Sequence, residues 1–242
     1  KIELIGIIGR NHSGRQLLTK INAKSSIAEG FRALRSNLNY ADTEDKDQIY
    51  LVTSSVSGEG KTFVAANLGI VYANTSKKTL LLGADLRKPR LFESLNIKND
   101  KGLSNFLSGE DKIEDIIFQT EVDNLDVIPS GRLPLNPSDL FIRSEFPDML
   151  TYLKKRYDKI IIDTAPIGLV ADAYMLMRFA DVTLYMVRQD FTHKNLLNFV
   201  NELHDKERVN NLYLVLNDVG SGSGVYGYGD YGYGTYGGYT YG

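Results

Sequence analysis

The chain has 242 residues, 43% hydrophobic and 24% charged, enough for one well-packed domain and short for two. A net charge of −2 gives no global field for nucleic acid, and the absence of cysteine excludes disulfides and thiolate metal sites. No apolar run approaches the roughly 18 residues that span a bilayer, and no signal peptide is visible.

The chain starts at Lys1 rather than Met and reads as a piece of something longer. Its first 24 residues carry Lys1, Arg10, Arg15, Lys20 and Lys24 against one acid, Glu3. Such a basic arm suits either solvent or the anionic cytoplasmic leaflet. A helix is expected over residues 26–40. Strands are then expected at 49–54, 79–83, 125–129, 159–163, 182–187 and 212–217. Their runs are continuously apolar, as in a sheet covered on both faces. Between them helical patterns are expected at 62–73, 146–156, 170–178 and 192–205. Strand–helix alternation of this kind predicts an α/β fold: a doubly wound, mostly parallel sheet with helices on both faces and ligands at the carboxyl ends of the strands. After Asn217 the composition collapses. Ten glycines in residues 220–242 leave no aliphatic face except Val225, and the segment reads as a disordered tail. Seven of the fifteen tyrosines lie in the last seventeen residues: Tyr226, Tyr228, Tyr231, Tyr233, Tyr236, Tyr239 and Tyr241.

Residues 55–62 read SVSGEGKT, between an expected strand and an expected helix. The G-x-x-x-x-G-K-[ST] pattern cradles phosphate with backbone N–H groups, brings a lysine to the β/γ-phosphates and a hydroxyl to Mg²⁺. Ser57, Gly58, Glu59, Gly60, Lys61, Thr62 and Phe63 form this candidate nucleotide site, with Ser55 where the first glycine is usual. Asp163, after three isoleucines, is the candidate strand-end acid for the Mg²⁺ shell. A second acidic strand end, LLLGADLRKPR, offers Asp85 and Arg87 as candidate metal-binding and charge-stabilising groups, with Lys88 and Arg90 behind them. Asn217 is a candidate adenine contact, or a strand-end cap. His12, His193 and His204 are scattered without metal spacing.

In combination these motifs resemble the bacterial tyrosine kinases of capsule and exopolysaccharide export, the Wzc-type cytoplasmic domain. SSVSGEGKT is similar to that family's Walker A, LLLGADLRKP to its Walker A′ and IIIDTAP to its Walker B. AEGFRALRSNL resembles its E-x-x-R-x-x-R helix, with Glu29, Arg32 and Arg35, and IPSGRLPLNPSDLF resembles its G-x-x-P-x-N-P-x-E-L segment, with Asp139 for Glu. The tyrosine tail resembles its autophosphorylation cluster. The resemblance implies an ATP- and Mg²⁺-dependent protein-tyrosine kinase whose subunits form a ring. One subunit's tail enters the next subunit's site, and Glu29, Arg32 and Arg35 bind the neighbour. It also implies a cognate tyrosine phosphatase and polysaccharide export machinery as partners, at the cytoplasmic face of the inner membrane. Residues 1–25 would be a juxtamembrane segment, 26–218 the kinase domain and 219–242 the tail. One departure stands out: Gly83 occupies the first position of the family's D-x-D. That substitution is expected to slow transfer more than it weakens binding. It keeps a catalytically impaired nucleotide-binding scaffold open as an alternative, beside a partitioning-type ATPase.

Overall fold

The computed structural model describes residues 2–14, 16–20, 25–42, 48–91, 95, 97, 100–168, 170–205, 209 and 211–220. Among the described residues eight strands form one sheet: β1 Glu3–Gly9, β2 Ile49–Ser54, β3 Thr79–Gly83, β4 Phe118–Gln119, β5 Leu125–Ile128, β6 Lys159–Asp163, β7 Val182–Arg188 and β8 Leu212–Val219. Their order is β1-β8-β7-β2-β6-β3-β5-β4, and every pairing is parallel except β4 with β5. The doubly wound, mostly parallel α/β fold expected from the sequence is the fold observed.

Side-chain alternation along the central strands builds two cores. Ile49, Leu51, Leu80, Leu82, Ile160 and Ile162 face one layer, and Tyr50, Val52, Leu81 and Ile161 face the other. Burying each such side chain stabilises by about 1.5–3 kcal/mol, so neither face tolerates a polar run. The second layer is made by α1, Ser26–Ala41, and α2, Lys61–Ala73. The first is covered by α3 Leu103–Leu107, α4 Pro137–Ile142, α5 Glu145–Lys154, α6 Asp172–Met177 and α7 Leu197–Asp205. In α1 the Ser25 hydroxyl accepts from the Ala28 nitrogen at 3.2 Å, capping the first turn. Ile27, Phe31, Leu34 and Leu38 then fall on one buried stripe.

The structure differs from the sequence expectations in three respects. Residues 3–9, expected to precede the domain, are an edge strand of its sheet, paired from Glu3↔Tyr213 to Gly9↔Val219. The boundary expected at residue 26 therefore does not divide the fold. Gly6 and Gly30 permit this: a Cβ at either would stand under 3 Å from Leu34 or from the Ile7 carbonyl, so α1 packs close on β1. The helix expected from 192 begins later, as a 3-10 turn Lys194–Leu196 leading into α7. Thr192 is withheld from it because its hydroxyl accepts from the Arg188 nitrogen at 2.8 Å and donates to Glu59. The short α3, α4 and β4 have no counterpart among the expected elements.

Candidate nucleotide and phosphoryl-transfer site

β2 runs into the loop 55–60, which turns into α2 at Lys61. Gly58 and Gly60 hold φ of +91° and +96°, the left-handed region where a Cβ is disfavoured. Ser55, in the place of the usual first glycine, turns its hydroxyl into the sheet, 2.8 Å from the Tyr185 hydroxyl. Burial pushes that phenol up to about 12, so the contact is between two neutral groups. Glu59 is fully buried. One of its carboxylate oxygens accepts from the Val56 nitrogen at 2.8 Å, and the other from Thr192. Its carbonyl accepts from Asn217 Nδ2 at 3.0 Å. Arg188 donates to the Gly58 carbonyl at 2.8 Å and is itself held by Asp218 at 3.0 Å. The loop is thus fixed by four residues from β7, β8 and the turn after β7.

Lys61 is 7% exposed and donates to Ser54 Oγ at 2.9 Å and to the Val56 carbonyl at 3.4 Å. Burial lowers its pKa, and Asp163, Asp85 and Glu59 partly restore it. The Thr62 hydroxyl donates to Asp163 Oδ2 at 2.7 Å. The other carboxylate oxygen, Oδ1, is buried without a hydrogen-bond partner. Burial pushes Asp163 up to about 7, against the pull of Thr62 and Lys61 and with the repulsion of Asp85.

The parallel strand β3 ends beside it, with Gly83 paired to Asp163. Asp85 Oδ1 accepts from the backbone nitrogens of Arg87 at 3.1 Å and Lys88 at 2.9 Å, which shapes the turn. The Arg87 guanidinium, expected to face the triphosphate, is instead committed to Asp172. Nε and Nη2 reach its two oxygens at 2.7 and 3.2 Å, and Nη2 also reaches Ser138 Oγ at 3.0 Å. Asp172 is 1% exposed, so its charge needs that fork. Lys88 and Arg90 are exposed.

Ser57 is exposed at the loop. Phe63 turns away from it and meets Phe31 edge-on at 5.6 Å. Asn217 sits directly beneath Gly60, where a Cβ would stand 2.1 Å from its Nδ2. On α1, Glu29 and Arg32 pair with each other, while Arg35 donates to the Val71 carbonyl at 3.0 Å near the end of α2. The seven tail tyrosines lie outside the described residues. His12 and His193 are exposed and His204 is half-buried. Among the described residues no acidic or histidine cluster of metal-site size occurs, and no helix is long and apolar enough to cross a membrane. Sequence reasoning missed Tyr185, Arg188, Thr192, Asp218, Asp172 and Ser138. Only the last had a local signal, since it follows Asn136-Pro137 at a helix start.

A family model described as an AAA domain matches residues 48–214. The putative tyrosine-protein kinase CapB of Staphylococcus aureus is 36% identical over 172 residues, which are 71% of this chain and 75% of CapB. The tyrosine-protein kinase wzc of Salmonella typhi is 36% identical over 179 residues, 74% of this chain, so the chain spans about a quarter (25%) of its length. Among solved structures, the chimerical protein CapA2B2 superposes with a TM-score of 0.85 and 33% identity, over 91% of this chain and 96% of that one. The septum site-determining protein MinD of Pyrococcus horikoshii OT3, complexed with Mg-ADP, gives a TM-score of 0.60 and 26% identity over 70% of each chain.

Proposed function

The chain belongs to the bacterial tyrosine-protein kinases built on an AAA-type P-loop domain, and from that premise we propose that it transfers the γ-phosphoryl of Mg-ATP to tyrosines in the C-terminal tail of a neighbouring copy. The observation that carries the proposal is the Lys61–Thr62–Asp163 group, with a buried carboxylate oxygen left without a partner at the foot of the phosphate loop. An oxygen in that position fits a hydrated cation that takes few protein ligands. Thr62, Asp163 and Asp85 would hold Mg²⁺, which supplies neutralisation of the triphosphate charge. The loop nitrogens and Lys61 bind the phosphates. The base would lie over the open depression lined by Arg10, His12, Phe191 and Asp218, with Asn217 behind it holding the Glu59 carbonyl.

A tyrosine hydroxyl titrates near 10, so a carboxylate placed to take its proton contributes about 10²–10⁴-fold. With glycine at 83, Asp85 is the one carboxylate of this loop, and its second oxygen, which the backbone nitrogens of Arg87 and Lys88 leave free, would serve either Mg²⁺ or the tyrosine proton. Arg87, gripped by Asp172 and Ser138, fixes the turn that carries Asp85.

Assembly into a ring would place Glu29, Arg32 and Arg35 against a neighbour. Each phosphate adds about −1.5 to −2 charges at neutral pH, so seven add roughly −10 to −14. A tail so charged leaves the acidic site, and a phosphatase resets it. The resulting cycle would regulate polysaccharide polymerisation and export at the cytoplasmic face of the membrane. Gly83 favours one second reading, a nucleotide-bound scaffold whose tail other copies phosphorylate. Incubation with Mg-ATP and phosphotyrosine mapping separates the two. A Lys61→Met chain should be labelled by the parent and should not label itself; a parent that labels neither sinks the kinase reading.

A further inference from the structure

Gly83 closes β3 at the strand ends that carry the site, in register with Asp163. A Cβ built on it would stand 2.9 Å from Ser130 Oγ, 3.1 Å from the Ser130 nitrogen and 3.4 Å from the Ile128 carbonyl. The Ser130 hydroxyl therefore already takes the space that a side chain at 83 would enter. Ser130 is 2% exposed, and its surroundings are pinned. Its carbonyl accepts from the Ser104 nitrogen at 2.9 Å, and the Pro129 carbonyl from the Leu103 nitrogen at 2.8 Å. Beyond it, the Arg132 carbonyl accepts from Ser104 Oγ at 2.6 Å. The backbone cannot retreat without breaking contacts to α3, so the larger relief comes from turning or removing the serine hydroxyl, while the 3.1 Å approach to the Ser130 nitrogen remains. Close-packed interiors resist added atoms in such places.

We propose that Ser130 is a positioning residue of this kinase: its hydroxyl fills the space beside position 83, and the two positions are a matched pair in which a serine at 130 and a carboxylate at 83 compete for that space. A hydroxyl both donates and accepts. It can brace the end of β3, and so the turn that carries Asp85, without adding a third negative charge beside Asp85 and Asp163. The effect on rate rests on the kinase reading; the pairing rests on packing alone. Restoring the carboxylate by itself is then no simple gain of function.

A substitution cycle in the full chain tests this, using Ser130→Ala, Gly83→Asp and both. One readout is melting without nucleotide; the other is phosphotyrosine formation, with kcat and the KM for ATP separated. Gly83→Asp should lower the Tm by about 2–6 °C when Ser130 is present, and by less than half as much in the Ser130→Ala background. Ser130→Ala should lower kcat about fivefold, the scale of one hydrogen bond, with the KM for ATP unchanged. Gly83→Asp should raise kcat only when combined with Ser130→Ala. Equal melting losses in both backgrounds overturn the pairing, and an unchanged kcat in Ser130→Ala overturns the positioning role. Absence of tyrosine labelling in every variant overturns the kinase reading and the positioning role with it, while the melting cycle still decides the pairing.

Discussion

The loops after β2 and β3 flank Asp163 at the same sheet edge and are held in opposite ways. The first, 55–60, is fixed at four of its six residues: Ser55 by Tyr185, Val56 by Glu59, Gly58 by Arg188, and Glu59 itself by Thr192 and Asn217. The second, 83–88, has no side chain at 83 and draws its shape from Asp85 and from the Arg87 fork on Asp172. Phosphate binding asks for fixed nitrogens, which a rigid loop supplies at no reorganisation cost. Proton transfer asks for a carboxylate at the right place, and there this chain is sparse. Binding is preorganised more fully than chemistry.

Substitutions can break that comparison, and the sharpest falls on the rigid loop. Lys61→Met should weaken ADP binding by about 100-fold or more, the scale of losing a buried charged contact, and should end self-labelling. Calorimetry that finds unchanged affinity would place the phosphate site elsewhere. Glu59→Ala should come next, because it strands the Val56 nitrogen and the Thr192 hydroxyl. Calorimetric melting should fall by about 4–10 °C, with weaker ADP binding.

Asp163 supplies a pH test. Its carboxyl is raised in the fold from 3.8 to about 7, so the protonated form is favoured by folding. The stability this gives is whole below the ordinary carboxyl value and is lost as pH rises through about 7. The nucleotide-free protein should melt higher at mildly acidic than at mildly alkaline pH, and Asp163→Asn should flatten that slope. A slope that survives the substitution assigns it to other groups.

The second loop should respond in rate more than in binding. Asp172→Asn loosens the Arg87 fork, whose guanidinium is partly exposed, so melting should drop by only about 1–3 °C. kcat should fall while ADP affinity holds, and equal losses in both would show that the two loops are not separable. Smallest in stability is Glu29→Ala with Arg32→Ala, an exposed pair worth under about 1 kcal/mol. Melting should not move, yet light scattering should show a smaller particle. An unchanged particle mass removes this helix from the assembly surface.

The sheet and the phosphate loop were legible because their signals are local. Ile160–Ile162 read as a strand buried on both faces, Gly58 to Thr62 read as a phosphate cradle, and Asp163 stood at the strand end. The bracing was not legible. Thr192 and Arg188 lie more than 125 residues from the loop they hold, and Asp172 lies 85 from Arg87. No periodicity encodes a contact made across a crossover. β1 was hidden differently. Gly6 and Gly9 dilute its apolar run, and Gly6 makes sense only beside Leu34 of α1. Arg87 was legible as important and misplaced in direction, since a buried acid 85 residues away claims it.

β8 carries a mechanical consequence. It lies between two parallel partners, registered with β7 from Leu212 to Asn217 and with β1 from Tyr213 to Val219. A load along a strand so flanked is taken in shear, with many ladder bonds strained at once instead of peeled singly. Traction on the chain beyond Gly220 is thus shared by both ladders before it can tilt Asn217, and with it the carbonyl of Glu59. A molecule that grips the tyrosine segment can haul on it while the phosphate loop stays level.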